Sequence, residues 1–221
     1  MESDIIIVSP GVTFLRLFEL AQTHEFWRSI ATSLGRIARG FGLALAAGII
    51  FAVVSAASRI FHYLVRPAIN AVNAIPIASF TVIALMAVRS ESLSTFIAFV
   101  TVLPIVYFNT FKGIESTDPL LLEMANVFHV PRWKKIVYIY LKTLAPFVLS
   151  AANAGIGFAW KSGIAAELIG VVRGTIGANL HTARIFLQTA DVFAWTIAIV
   201  LLSLVMERLF RLLFGILVSE I

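Results

Sequence analysis

The chain has 221 residues and a formal net charge of +5; 60% of its residues are hydrophobic and 13% are charged. Soluble domains contain roughly 45–50% apolar and about 25% charged residues, so this composition excludes a soluble globular protein and a disordered one and indicates lipid as the solvent. The basic residues are spread along the chain, which argues against nucleic acid as a partner, and the absence of cysteine excludes a disulfide framework.

Five stretches without a charged residue predict transmembrane helices. They hold 19, 22, 20, 18 and 15 residues and lie between Arg39 and Arg59, Arg66 and Arg89, Glu91 and Lys112, Lys142 and Lys161, and Asp191 and Glu207. A spanning helix needs about 20 apolar residues, so four stretches suffice and the last does if its helix continues toward Leu213. We predict an all-α polytopic membrane protein with spans near residues 38–58, 68–88, 92–112, 140–161 and 193–214.

The N-terminal segment 1–37 precedes the spans and is predicted to lie on the outer surface, with an amphipathic helix over residues 12–37. A sixth span near residues 5–20 is the alternative. Nine of the 17 basic residues fall in the connections 59–66 and 112–142 and at the C-terminal end, so the positive-inside rule places these segments and the C-terminus in the cytoplasm. Four arginines then lie outside, against this rule: Arg16, Arg28, Arg36 and Arg39.

The whole chain, residues 1–221, is interpreted as one transmembrane domain with its core over residues 38–214. Small residues inside the spans allow helices to approach closely. They are Gly40, Gly42, Gly48, Gly155 and Gly157. We interpret these glycines as ordinary packing positions in a membrane bundle.

The cytoplasmic connection 113–139 contains a short helix. Asp118 is a good N-cap and Pro119 suits the first helical position, where its missing N–H has no cost. The helix is predicted to run to about Phe128 and to break before Pro131. It is too short to span, and its apolar residues need cover, either from its own bundle or from a cytoplasmic partner.

The segment 161–191 on the other side contains apolar residues 163–172, which are too few to cross a membrane. They suit a re-entrant or outer-face segment buried in protein. Polar residues in or beside the spans either line a pathway or form hydrogen bonds between helices. These candidates are Asn70, Asn73, Asn153, Lys161 and Glu167. For Lys161, a position at the membrane interface is a further alternative.

The sequence carries no motif of an enzyme. It has no phosphate-binding G-x-x-x-x-G-K-[ST] loop, no H-E-x-x-H and no G-x-S-x-G. The four histidines are scattered without metal-ligand spacing. We therefore predict a non-catalytic membrane protein, with no catalytic residues, no metal site and no energy source of its own.

Residues 123–142 resemble the cytoplasmic EAA loop of binding-protein-dependent ABC importer permeases. Glu123 and Ala125 match the first and third positions, and Ile139 and Leu141 match the late I and L. Met124 replaces the middle alanine, His129 the glycine and Lys142 the proline. Further matches over about residues 9–215 look like the nitrate/sulfonate/taurine branch of this family. They include Ser9-Pro10, Phe26-Trp27, Ser33-Leu34-x-Arg36, Gly40-Phe41, Arg66-Pro67, Ile75-Pro76, Gly113-Ile114, Asp118-Pro119-x-Leu121-Leu122-Glu123 and Ala166-Glu167-x-Ile169-Gly170.

The resemblance implies a type I importer permease in a bacterial cytoplasmic membrane. It implies a dimer, most often of identical chains, bound to two cytoplasmic ATPase subunits that hold ATP and magnesium, and a separate extracytoplasmic solute-binding protein. No cofactor is expected in this chain. The implied solute is a small sulfonate, a nitrate-like anion or a related small metabolite. Relatives usually carry another transmembrane helix before the Ser9-Pro10 segment, where this sequence begins.

The resemblance assigns ATPase coupling to the short cytoplasmic helix, with Glu123 as the strongest single choice. The coupling residues are Asp118, Pro119, Leu121, Leu122, Glu123, Met124, Ala125, Asn126, Phe128 and His129. One departure concerns the turn after this helix, because His129 adopts a left-handed conformation less easily than the glycine it replaces. The alternatives to an importer are a secondary transporter driven by an ion gradient, which would need inverted repeats, and a membrane scaffold that transports nothing.

Overall fold

The described part of the chain is helical throughout. The computed structural model describes the backbone of residues 8–219 and the side chains of residues 8–212. The helices are α1 (Pro10–Ala21), α2 (His24–Ala57), α3 (Arg59–Ala74), α4 (Ile77–Ala87), α5 (Leu93–Glu115), α6 (Pro119–Val127), α7 (Arg132–Lys135), α8 (Leu141–Gly170), α9 (Ile176–Ile185) and α10 (Thr189–Ser219). A 3₁₀ turn, Ser90–Ser92, precedes α5, and a π-helical stretch, Ile136–Tyr140, joins α7 to α8.

Four helical segments of the described residues are long and apolar enough to cross a membrane. They are His24–Ala57, Ser90–Glu115, Arg132–Gly170 and Thr189–Leu212. The pair α3 and α4 supplies a fifth span if the two helices cross the membrane together. The all-α polytopic fold predicted from the sequence is therefore confirmed.

The span predicted near residues 68–88 is not one helix. Helix α3 ends at Ala74, α4 begins at Ile77, and their axes differ in direction by 109°. Ile75, at φ −78° and ψ 129°, is extended because the ring of Pro76 disfavours a helical conformation in the residue before it. The single-helix prediction was wrong here because a count of apolar residues does not detect a bend.

Two segments predicted outside the spans are helical, and parts of them extend the long helices α2 and α8. The expected amphipathic helix over residues 12–37 is divided at Thr23, whose hydroxyl accepts a hydrogen bond from the Phe26 N–H and caps α2. Helix α2 then continues through the span without a break. Residues 163–172 are not re-entrant, because α8 continues to Gly170. Several of them are buried, among them Ile164, Ala166 and Val172, which fits the other alternative, a segment buried in protein.

The alternative of a sixth span near residues 5–20 is not supported by the described residues. Helix α1 has 12 residues, so it is about 18 Å long at 1.5 Å per residue. A bilayer core is about 30 Å thick. Residues 5–7 of that alternative lie outside the described part of the chain.

The centre of the bundle is formed by α2, α5 and α8, with α5 packed between the other two. Helix α2 presents a buried small residue at every fourth position toward α5: Gly40, Ala44, Gly48 and Ala52. A Cβ on Gly40 would collide with the Thr95 carbonyl oxygen, and one on Gly48 would lie 2.8 Å from the Val106 side chain. These glycines therefore permit the close approach that the sequence predicted.

Of the other glycines predicted to permit close packing, two lie against neighbouring helices and one does not. A Cβ on Gly155 would lie 3.0 Å from Val102 of α5, and one on Gly157 would lie 3.2 Å from the Glu207 carboxylate. Gly42 has nothing within 4 Å of the position of a Cβ. Close packing thus accounts for Gly155, and Gly42 has no such role within the described chain.

Helix α10 closes one side of the bundle. The indole N–H of Trp160 in α8 donates a hydrogen bond of 3.1 Å to the Ile199 carbonyl, and the rings of Phe26 and Trp195 lie 4.9 Å apart. Helix α1 lies against α10, where the Arg16 guanidinium pairs with the Asp191 carboxylate. These contacts join the N-terminal helix to the last span at one end of the bundle.

Candidate coupling and translocation sites

Helix α6 forms as its sequence predicts. The Asp118 carboxylate accepts a 2.8 Å hydrogen bond from the Leu120 N–H, and Pro119 occupies the first turn. The helix ends at Val127, one residue before the predicted end. Its start and its break before Pro131 are therefore confirmed.

Helix α6 presents most of its surface to the outside of the chain. Leu120 and Val127 are 70% and 73% exposed, and Leu121, Met124 and Phe128 are also exposed. Ala125 is buried and Leu122 is half-buried. The helix makes few contacts with any other helix of the chain. The sequence left two possibilities for burying the apolar residues of α6, its own bundle or a cytoplasmic partner. The described bundle does not bury them.

The turn after α6 keeps the geometry of a glycine turn without the glycine. His129 has φ +52°, its N–H donates to the Asn126 carbonyl at 3.0 Å, and the Val130 N–H donates to the Ala125 carbonyl at 2.9 Å. This pair of bonds is a Schellman motif, whose left-handed residue is usually glycine. The non-glycine residues Val171 and Leu187 also have positive φ, after α8 and α9.

Replacing His129 with glycine is expected to stabilise the protein by about 1 kcal/mol, because the left-handed conformation disfavours a Cβ by about that amount. His129→Ala is the matched control, since alanine retains the Cβ and gains nothing. Thermal unfolding of the purified variants in detergent measures the difference. Equal unfolding midpoints for the glycine and alanine variants would show that the turn is unstrained.

Glu123 lies on the exposed side of α6. Within the described residues its carboxylate forms no side-chain hydrogen bond and no ion pair. Asn126 differs, because its side-chain oxygen accepts a hydrogen bond from the Lys135 amino group. The carboxylate of Glu123 is thus available to a group from outside this chain.

Two pathway candidates, Asn153 and Lys161, lie on one exposed face of α8. They line a cavity of about 300 Å³ together with Gly157, Glu207 and Arg211. Sequence reasoning missed Glu207 and Arg211 as site residues, because charges near the end of a span indicate a membrane interface. The cavity brings one carboxylate together with two basic groups.

A second cavity, of about 530 Å³, lies beside the break between α3 and α4. Asn73, Ile75 and Pro76 line it, and so do Ala154 and Phe158, which also line the first cavity. The exposed face of α8 therefore connects the two cavities. Asn70 is exposed on α3 but lines neither of them.

Glu167 lies apart from both cavities and is fully buried. Its Oε2 atom accepts a 2.7 Å hydrogen bond from the Ser33 hydroxyl and one of 3.4 Å from the Gly177 N–H. The Ser33 oxygen in turn accepts from the Ile176 N–H at 3.1 Å. Glu167 thus connects α8 to α2 and to the first turn of α9. This position favours the interhelical alternative that the sequence left open.

Glu167→Ala is expected to lower the free energy of unfolding by about 2 kcal/mol, because it leaves the Ser33 hydroxyl and the Gly177 N–H without their acceptor. Glu167→Gln is the matched control, because its carbonyl oxygen can still accept both bonds. Thermal unfolding measures both variants. A stable alanine variant with altered solute selectivity would instead place Glu167 in the pathway.

The described bundle has the fold of an ABC transporter subunit. A chain from a structure described as the crystal structure of an amino acid ABC transporter with histidines superimposes with a TM-score of 0.72 at 15% identity, covering 97% of this chain and 100% of that chain. The sequence profile of the binding-protein-dependent transport system inner membrane component family matches residues 44–215. The chain belongs to this family and is a multi-pass membrane permease subunit.

Several curated relatives are permeases for small anions. A putative aliphatic sulfonates transport permease from Bacillus subtilis is 27% identical over 213 residues, 96% of this chain and 76% of the relative. A bicarbonate transport system permease from Synechococcus elongatus is 25% identical over 186 residues, 83% of this chain and 66% of the relative. A nitrate import permease from Leptolyngbya laminosa is 26% identical over 145 residues, 65% of this chain and 52% of the relative. The resemblance stated from the sequence is confirmed.

Proposed function

We propose that this chain forms the pathway of an ATP-driven importer and couples, through α6, to a separate cytoplasmic ATPase. The supporting observation is the exposed apolar surface of α6, which is well capped, yet makes few contacts with other helices of its own chain. A short helix gains little stability without packing. An ATPase subunit in contact with Leu121, Glu123 and Met124 provides that cover.

The pathway is proposed to lie between two copies of this chain. Both cavities on α8 involve exposed side chains, among them Asn153, Phe158 and Lys161. A second copy facing this surface would enclose the polar groups and exclude lipid from them. Polar and charged groups in membrane helices normally face such an interior.

The proposed solute is a small oxyanion delivered by an extracytoplasmic binding protein. The relatives named above are permeases for sulfonates, bicarbonate and nitrate. The described lining of the smaller cavity carries two positive charges, on Lys161 and Arg211, and one negative charge, on Glu207, which gives a net charge of +1. A positive lining suits an anion better than a cation.

The chain is proposed to lie in the bacterial inner membrane with its C-terminus in the cytoplasm. Starting from the side of α6, helix α8 and then α10 are each long and apolar enough to cross the membrane, so we propose one crossing outward and one back. The end of α10 therefore lies on the same side as α6. Because α6 is proposed to contact a cytoplasmic ATPase, that side is the cytoplasm.

Uptake by proteoliposomes tests this function. Vesicles that contain the permease and its ATPase are expected to take up a labelled sulfonate, nitrate or bicarbonate only with ATP and the binding protein. Uptake driven by an imposed ion gradient without the ATPase would favour a secondary transporter. No uptake of any of these anions with every partner present would contradict the proposal.

A further inference from the structure

A third cavity, of about 640 Å³, lies at the end of the bundle where α2 begins. Its lining is basic: Arg28 and Arg36 come from α2, and Arg173 comes from the connection between α8 and α9. Among the described residues that line it, Glu25 is the only carboxylate. Three guanidinium groups and one carboxylate give the lining a net charge of +2.

The cavity lies outside the hydrocarbon core on the proposed outer side. Helix α2 has 34 residues, so it is about 51 Å long, and a hydrocarbon core of about 30 Å accommodates only about 20 of them. The uncharged stretch 40–58 fills that core. Residues 24–36 then extend into the lipid headgroups and the outer water.

The arginines expected on the outer side, including Arg173, fall into two groups. Arg16 pairs with Glu19 and Asp191, and the Arg39 Nε donates to the Gly35 carbonyl at 3.1 Å. In the described residues, Arg28, Arg36 and Arg173 form no ion pair. The buried Glu167 carboxylate interacts electrostatically with Arg36. The Nη1 atom of Arg36 is buried and has no hydrogen-bond partner among the described residues.

The side chains that line the cavity also suit a small oxyanion. Arg28, Thr32 and Arg36 follow one another at intervals of four residues, so they lie on one face of α2. Ser29 is buried at its wall and accepts a 2.9 Å hydrogen bond from the Asn179 amide. Guanidinium groups match the geometry of carboxylate, sulfonate and phosphate oxygens and form strong charge-assisted hydrogen bonds with them.

We propose that this outer cavity, formed by Arg28, Arg36 and Arg173, is a binding site for a small oxyanion. The ligand chemistry is that of a sulfonate, a sulfate or a phosphate group, either free in solution or in a lipid headgroup. The inference deepens the proposed transport function and rests on it for one point, the assignment of this end to the outer side. There, the site would hold an anionic solute before it enters the pathway.

Calorimetric titration of the purified full-length permease tests the site, with ethanesulfonate or sulfate as the probe at constant ionic strength. The unmodified chain is expected to bind both anions and not the neutral dimethyl sulfone. Arg28→Gln and Arg173→Gln are each expected to weaken binding about tenfold or more, because each removes a charge-assisted contact. Both side chains are exposed, so these variants are expected to fold.

Arg39→Gln is the matched control, because it removes the same charge from the same helix outside the cavity. Its affinity for the anion is expected to stay within about twofold of that of the unmodified permease, since an exposed charge outside the cavity contributes little. Titration in lipid-free detergent and in nanodiscs containing phosphatidylglycerol identifies the source of the ligand. Competition by phosphatidylglycerol that depends on Arg28 supports the site and indicates a headgroup, whereas equal binding in both media supports it and indicates a free anion.

Three results would overturn the site. These are no anion binding by the unmodified permease in either medium, an equal loss in Arg39→Gln, and arginine variants that lose only affinity for the binding protein. The last result would identify a protein-docking surface instead. Failure of uptake with intact, Arg28-dependent anion binding would count against the transport function alone, so the two proposals fail separately.

Discussion

Replacing Glu123 with lysine is expected to reduce the association of the ATPase with the permease by about tenfold or more, while the permease remains folded in the membrane. The carboxylate is exposed on α6 and has no partner in the described chain, so its loss does not disturb the bundle. Reversal of a charge at a protein interface introduces repulsion and removes a favourable contact. Co-purification of the ATPase with tagged permease measures the effect.

The matched control for this experiment is Glu91→Lys. Glu91 is also exposed but lies in the 3₁₀ turn before α5, at the opposite end of that helix from α6. This variant is expected to co-purify with as much ATPase as the unmodified chain. If Glu123→Lys retains normal ATPase association, or if both variants lose it equally, Glu123 has no specific role in coupling.

Gly40→Ala is expected to destabilise the bundle by about 1–3 kcal/mol, which is the usual cost of an overpacked contact. The added Cβ would collide with the Thr95 carbonyl oxygen and would lie 3.0 Å from the Ala98 Cβ, so α2 and α5 would have to separate. Backbone atoms cannot move aside as a flexible side chain does. Thermal unfolding in detergent measures the change.

Gly42→Ala provides the comparison, because the same methyl group is added to the same helix where nothing lies within 4 Å. This variant is expected to be as stable as the unmodified chain or slightly more stable, since alanine favours helix over glycine by up to about 1 kcal/mol. An equal loss of stability in both variants would show that the effect comes from the helix itself. The close approach of α2 and α5 would then not depend on Gly40.

Local sequence signals predicted α6 well. The cap at Asp118, the proline after it and the break before Pro131 depend only on neighbouring residues, so they are readable in sequence. The left-handed turn at His129 was harder to predict, because histidine replaces the glycine that normally marks it. The structure keeps the turn through two backbone hydrogen bonds.

The length of the helices was less predictable, because charges were taken as the ends of spans. Arg28 and Arg36 lie within α2, and Lys161 and Glu167 lie within α8. A helix continues through such residues if they reach water or find partners in the bundle. Arg28 is exposed and Glu167 forms hydrogen bonds within the bundle. Local hydropathy predicts neither outcome.

The candidate sites were predictable only in part. Asn153 and Lys161 are eight residues apart, so a helix places them near one face, as the structure does. The hydrogen bond between Ser33 and Glu167 joins residues 134 positions apart. Ser33 and Glu167 each lie in a motif that resembles the family. The spacing of residues along the chain does not predict that these two motifs are in contact. Arg173 and Arg28 are also far apart in sequence, so their position in the lining of one cavity could not be predicted either.

A thiol crosslink between α6 and the ATPase tests the central claim most directly, because the chain contains no cysteine of its own. Met124→Cys places one thiol on the exposed surface of α6, and Met86→Cys places one on α4, where Met86 is 89% exposed. With a short bifunctional reagent, we expect a permease–ATPase adduct from position 124 and none from position 86. No adduct from position 124, in an assembly that still hydrolyses ATP and imports solute, would contradict the account.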